Sequence, residues 1–160
     1  VKHHLAQINI ARFRLPADDP ANKDFVDAIE SVNAAADAQP GFVWRLQGDG
    51  AGALDIRAYD DPNIVVNMSV WESLDQLAAF AYRHNVHRSI MRRRREWFEE
   101  MEFYLALWWI EAGTTPTVEE AVRRIELIKA SGPSPEAFTF KTPFPPPGER
   151  DIEPVLDECA

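Results

Sequence analysis

Residues Ile64–Phe98, IVVNMSVWESLDQLAAFAYRHNVHRSIMRRRREWF, carry the reading on which the fold depends. The first eight alternate: Val66, Met68 and Val70 share one side, and Val65, Asn67, Ser69 and Trp71 the other, which is the period of two that a strand imposes. Ser73-Leu-Asp-Gln76 follows at once and is a capping box, so the strand hands over directly to a helix. Leu74, Leu77, Ala78 and Ala81 recur at helical spacing, and an unbroken helix carries the same stripe on to His84, His87, Arg88 and Met91. A break between Tyr82 and Val86 would rotate the second half.

Upstream, His4 to Arg12 (HLAQINIAR) alternates as a strand, with His4, Ala6, Ile8 and Ile10 opposed to Leu5, Gln7, Asn9 and Ala11. Asp19 reads as an N-cap with Pro20 at the first helical position. Phe25, Ile29, Val32 and Ala36 then mark a helix that Pro40-Gly41 ends. Phe42 to Gln47 is a second strand. Gly48 to Gly52 is a turn with no Lys-Ser/Thr after it, hence no phosphate-binding loop, and Ala53 to Asp61 reads as irregular.

Downstream, Tyr104 to Ile110 (YLALWWI) is a strand apolar on both sides. Thr117-Val-Glu-Glu120 is another capping box, opening a helix with Val118, Ala121, Val122, Ile125 and Ile128 on its apolar side, and Gly132-Pro133 ends it. Phe138 and Phe140 read as a short edge strand. The expected organisation is one domain over residues 1–142 and a Pro-rich, acidic tail over 143–160, extended from Pro143 to Pro147 and mobile from Glu149 to Glu158.

Strand, helix, strand, strand, helix, strand is a ferredoxin-like βαββαβ order: an α+β fold with an antiparallel sheet, both main helices on one side, and here an extra C-terminal helix. The uncovered side is expected to show Gln7, Asn9, Arg45, Gln47, Asn67, Ser69, Trp71, Tyr104 and Trp108. A face so mixed calls for burial against a second copy, or against the C-terminal helix and tail, and the prediction is a homodimer.

Composition narrows the function classes. A net charge of −9 opposes broad attraction to nucleic acid or anionic lipid. The single cysteine, Cys159, allows no internal disulfide. No apolar run reaches the roughly 20 residues of a membrane span, and the expectation is a cytoplasmic protein with no membrane or nucleic-acid partner. No Ser-His-Asp order, CxxC pair or dinucleotide fingerprint is present.

The run from Val66 to Phe98, with HLAQINIAR before it, GFVWRLQ between and PFPPPG near the end, resembles a bacterial family catalogued as a domain of unknown function. That family is similar to the dimeric α/β-barrel proteins, which include antibiotic-biosynthesis and heme-degrading monooxygenases. Heme-degrading members use an Asn on the first strand, a Trp ending the third and a His on the second helix as iron ligand. The resemblance implies such roles for Asn9, Trp71 and either His84 or His87. Cofactor-free members hold a phenolic substrate with Asn, Trp, Tyr and Arg groups while the substrate's own carbanion reacts with oxygen. That implies roles for Asn9, Asn67, Trp71, Tyr82 and Arg45. The extension from Gly113 onward has no counterpart in the small monooxygenases.

Each candidate also has a plainer reading. His84 and His87 are either ligand-contacting or hydrogen-bonded packing groups, and no third ligand for a metal is evident. Asn9 and Asn67, disfavoured in mid-strand, either bond across an interface or donate to a carbonyl or oxyanion. Trp71 and Trp108 line either core or pocket. Arg92 to Arg95 read as a solvated face pairing Arg92 with Glu96 and Arg95 with Glu99, which leaves Arg88 as the arginine best placed to turn inward. The resulting expectation is a monooxygenase-like oxidoreductase, with no cofactor or with heme, acting on a hydrophobic aromatic or heme-like molecule between sheet and second helix. His87, His84, Asn9 and Trp71 are its catalytic candidates, and Asn67, Arg45, Tyr82, Arg88 and Trp108 its substrate-binding ones. The competing expectation is a non-catalytic small-molecule-binding protein.

Overall fold

A computed structural model describes residues 1–47 and 58–149. The Gly48 to Gly52 turn, residues 53–57 of the segment read as irregular, and the acidic end past Glu149 lie outside the described residues. The chain runs β1 (His3–Arg12), α1 (Lys23–Asp37), β2 (Phe42–Arg45), β3 (Ile64–Trp71), α2 (Leu74–Ala78), α3 (Asn85–Arg92), α4 (Arg94–Trp97), β4 (Leu105–Glu111) and α5 (Val118–Ser131). The strands form an antiparallel sheet in the order β2-β3-β1-β4, and the fold is ferredoxin-like α+β.

Local chemistry sets the element boundaries. Ser73 Oγ accepts from the Gln76 backbone N–H and donates to the Gln76 side-chain oxygen, and Thr117 Oγ1 accepts from the Glu120 N–H, so both boxes satisfy donors that a helix start leaves free. Asp19 caps a short 3-10 turn, Pro20–Asn22, that leads into α1. Gly41 has φ +83, and a Cβ there would have to displace the end of the Gln76 side chain 2.2 Å away, so the backbone conformation at the entry to β2 favours glycine.

The central register places Leu5 opposite Trp71, Gln7 opposite Ser69 and Asn9 opposite Asn67, with Trp109, Leu107 and Leu105 completing these rows on β4. The alternate residues Ala6, Ile8, Ile10, Val66, Met68, Val70, Ala106 and Trp108 are buried with Ala121, Ile125 and Ile128 of α5. This corrects the expected facing of the sheet. Gln7, Asn9, Asn67, Ser69 and Trp71 lie on the side covered by α1 to α4, whereas Trp108 lies on the opposite side, beneath α5. Alternation divides a strand into two faces without saying which cover each receives, and here the wholly apolar face takes the chain's own C-terminal helix.

The break that the sequence left open between Tyr82 and Val86 occurs: Ala79–Arg83 form a wide turn of π type, and His84, with φ −75 and ψ 126, is extended and restarts the chain as α3. One further expectation is revised. The helix ends again at Arg93 (φ −97, ψ 2), so Arg93, and neither Arg92 nor Arg95, makes the ion pairs, with Glu96 at 2.8 Å and Asp24 of α1 at 2.9 Å. Its guanidinium also lies 4.8 Å over the Trp97 ring.

Beyond α5, Phe138 exchanges backbone hydrogen bonds with Leu107 of β4 at 2.8 and 2.9 Å. Trp109 Nε1 donates to the Phe144 carbonyl at 2.8 Å, and the Phe144 ring packs on Phe138, so the start of the Pro-rich stretch is docked on the domain.

Candidate functional site

The helix-covered face of the sheet is apolar at its ends and polar in the middle. At one end Leu5, Trp71 and Leu107 pack with Leu74, Leu77, Ala78 and Phe80, flanked by Val32 and Ala36 of α1. At the other, Phe13 and Val65 pack with Trp97, Phe25, Ile90 and Phe98. Both α1 and the α2–α3 segment contribute to both ends, so they cross above the rows between them. Those rows hold Gln7, Asn9, Asn67 and Ser69.

The four side chains form one hydrogen-bonded unit. Gln7 Nε2 donates to Asn67 Oδ1 and to Ser69 Oγ, both at 2.8 Å. Asn9 Nδ2 donates to Gln7 Oε1 at 2.9 Å and to Asn67 Oδ1 at 3.2 Å. Trp71 Nε1 donates to Ser69 Oγ at 2.9 Å. Gln7 and Ser69 are buried, 3% and 7% exposed, Asn9 is half-buried and Asn67 is exposed, so the unit opens outward at its Asn9–Asn67 end.

Counting donors shows what this unit offers. Both Gln7 amide hydrogens and both Asn9 amide hydrogens are used, and Ser69 Oγ accepts twice, which leaves its own O–H to donate. Among the described residues, the Asn67 amide nitrogen has no acceptor and Asn9 Oδ1 no donor. The row therefore presents N–H and O–H donors and an amide oxygen, the groups that hold a phenol or a carbonyl, and none of its members titrates near neutral pH.

Around it stand the other sequence candidates. Arg45 sits in the row of Ser69 and Gln7 but is held by Asp37, with Nε 2.8 Å from the carboxylate. Trp71, 1% exposed, is enclosed by Phe42 and Phe80 and reaches the row only through its indole N–H. His87 Nδ1 lies 2.8 Å from the Ala81 carbonyl, so Nδ1 carries the proton and Nε2 the lone pair; burial holds its pKa below the ordinary imidazole value. His84 Nδ1 is buried with no hydrogen-bond partner among the described residues. Tyr82 packs edge-on against Phe140, and Arg88 is half-buried on α3. Trp108 does not join this group, since it lies under α5 with the Arg124 guanidinium 5.7 Å from its ring.

Sequence reasoning left Gln7 and Ser69 out of the site, although Gln7 is the hub of the network. The signal was present: Gln7/Asn9 and Asn67/Ser69 are polar pairs two residues apart, each on one face of a strand, in strands otherwise rich in Ile, Val and Met.

A heme held between Trp71 and a histidine needs open space between them. Phe80 fills that space, its ring centroid 5.6 Å from Trp71, 5.4 Å from His84 and 5.1 Å from His87. These residues do not fit a heme between them. A separate depression of about 480 Å³ lies on α5, lined by Arg123, Arg124, Glu126, Leu127 and Glu136. It is walled by surface side chains, among them Arg124 paired with Glu120, and has no part of the polar row. The row, with its buried hub Gln7 and the unpartnered amide groups of Asn67 and Asn9 at its open end, is the better candidate site.

Solved structures with a similar fold include a putative antibiotic biosynthesis monooxygenase from Nitrosomonas europaea, with 17% identity, TM-score 0.49, and 73% of this chain and 96% of that chain covered. Another is SnoaB, a cofactor-independent oxygenase from Streptomyces nogalater, with 18% identity, TM-score 0.46, and 70% and 95% covered. No curated protein matches the chain by sequence. The model of a domain of unknown function, DUF3291, matches residues 4–154, nearly the whole chain, and the protein belongs to that family.

Proposed function

We propose that the polar row formed by Gln7, Asn9, Asn67 and Ser69 is the floor of a small-molecule site, and that the protein is a cofactor-independent, monooxygenase-like oxidoreductase acting on a flat phenolic compound. The observation that carries this reading is a hydrogen-bonded polar unit set between two apolar clusters on a helix-covered sheet face, a position that packing alone fills with aliphatic side chains. Amide and hydroxyl donors hold a phenolic or enolic oxygen and favour its ionised form. Because the row contains no titratable group, the substrate has to supply its own acidity, and the carbanion form of an ionised polyphenol is the electron source for oxygen. His87 and Trp71 then shape the site's edge, and Arg45, already paired with Asp37, adds a balanced charge beside it. Assembly as a homodimer in the cytoplasm belongs to the same proposal; with α5 on the apolar face, a second copy would use another surface.

A second reading, binding without turnover, is favoured by one observation: Phe80 stands between Trp71 and both histidines, so no acid or base adjoins the indole. Oxygen uptake separates the two. Polycyclic phenols are expected to drive stoichiometric oxygen consumption with the wild type and not with Asn67→Leu, which removes an exposed member of the row. Saturable phenol binding without oxygen uptake would establish the binding protein, and binding untouched by Asn67→Leu would remove the row from the site altogether.

A further inference from the structure

The helices above the polar row are loosely seated: neither α1 nor α3 contributes a fully buried residue. On α3 the half-buried positions are His87, Arg88, Ile90 and Met91, with His84 at the cap, whereas Asn85, Val86, Ser89 and Arg92 are exposed. The half-buried positions of a helix that only closes a core are mostly aliphatic. Arg88 is the departure that packing explains least.

Three other half-shielded arginines of the described residues are neutralised by carboxylates. Arg12 meets Asp61 at 3.0 Å, Arg45 meets Asp37 at 2.8 Å, and Arg124 meets Glu120 at 2.9 Å. The Arg88 side chain makes no ion pair or hydrogen bond among the described residues, in a protein with an acidic excess. The roof offers it no counter-charge either. No acidic residue occurs in α3, and on α1 Asp24 binds Arg93, Asp27 binds Lys23, Asp37 binds Arg45, and Glu30 is exposed. A half-buried arginine whose side chain has no anion is free to take one, and its planar fork matches a carboxylate with two parallel hydrogen bonds. The floor points the same way, since Asn67 Nδ2 and the Ser69 hydroxyl are free donors.

We infer that the ligand carries a carboxylate on its flat apolar body, and that Arg88 is the residue selecting for that charge. The inference rests on the polar row being the ligand's floor. The carboxylate lies against α3, and the phenolic oxygen lies on the Asn67–Ser69 donors.

Two probes that differ in the carboxylate test this: 3-hydroxy-2-naphthoate and 2-naphthol, titrated by tryptophan fluorescence and by calorimetry against the full chain. The wild type is expected to bind the hydroxynaphthoate about tenfold more tightly, as one charge-assisted pair warrants. That ratio is expected to fall to about one in Arg88→Gln, to be kept in part by Arg88→Lys, and to shrink as salt is raised. Matching thermal melts confirm that the variants are folded. Equal affinity for the two probes in the wild type, or a preference surviving Arg88→Gln, overturns the role of Arg88 while naphthol binding lost in Asn67→Leu still upholds the row. Failure of both probes to bind overturns the row and the carboxylate preference together.

Discussion

The two faces of the sheet are built from alternate residues of the same strands and are made differently. On the α5 side, Ala6, Ile8, Ile10, Val66, Met68 and Val70 form one uninterrupted apolar surface, closed by Ala121, Ile125 and Ile128. On the α1–α3 side the apolar surface is split in two, and the gap is bridged by carboxamides and a hydroxyl. Buried apolar area stabilises at roughly 25 cal/mol per Å², while a satisfied polar contact nets only about 1 kcal/mol. Both faces therefore bury apolar side chains, the α5 face without interruption, and only the other gives up its middle to polar contacts.

If that division is right, truncation on the α5 face has the largest effect on stability and little on binding. Ile8→Ala, at a fully buried position, is expected to cost about 3 kcal/mol in urea unfolding while leaving phenol affinity per folded molecule unchanged. A comparable loss of affinity would mean that the faces are mechanically coupled. Gln7→Leu is expected to cost less, about 1–2 kcal/mol, because it strips Asn9, Asn67 and Ser69 of their common partner, yet it should abolish phenol binding. A Gln7→Leu protein that binds normally would reduce the row to a packing device.

The smallest effect concerns His87 and pH. Burial lowers its folded pKa below 6.5, so between that lower value and 6.5 the unfolded chain binds more protons than the folded one. Its contribution is complete above pH 6.5 and is lost as the pH falls toward the folded pKa. Stability measured from pH 8 to 5 should therefore decline less steeply in His87→Gln than in the wild type. Identical slopes would show that the imidazole is not held neutral against Phe80.

Much of this was legible because it is local. The strand alternation, the Ser73-to-Gln76 and Thr117-to-Glu120 boxes and the Pro20 start each depend on residues within a few positions, and each lies where the pattern put it. The facing of the sheet was not legible, since it depends on which of two covers, α1–α4 or α5, settles on which side. The break that the sequence left open between Tyr82 and Val86 falls at His84, but the wide turn over Ala79–Arg83 before it was not legible: AFAYR is a good helical sequence, and only packing of Phe80 on Trp71 and the histidines accompanies its widening. Asn9, Asn67 and Trp71 were legible as site candidates because polar and aromatic groups interrupt apolar strands. Trp108 was misplaced because β4 is apolar on both sides, so its sequence gives no clue to which side holds the site.

The Phe138 segment bears on what the molecule does in a crowd. β4 is an outer strand of the sheet, and an outer strand offers its free N–H and C=O groups to any passing chain. Here Leu107 already spends both groups on Phe138, and Trp109 fastens Phe144 just beyond, so the protein occupies its own edge with a segment more than 25 residues downstream. A chain cut before Phe138 would keep its strands and α5 but expose that edge, becoming a template for strand-by-strand aggregation.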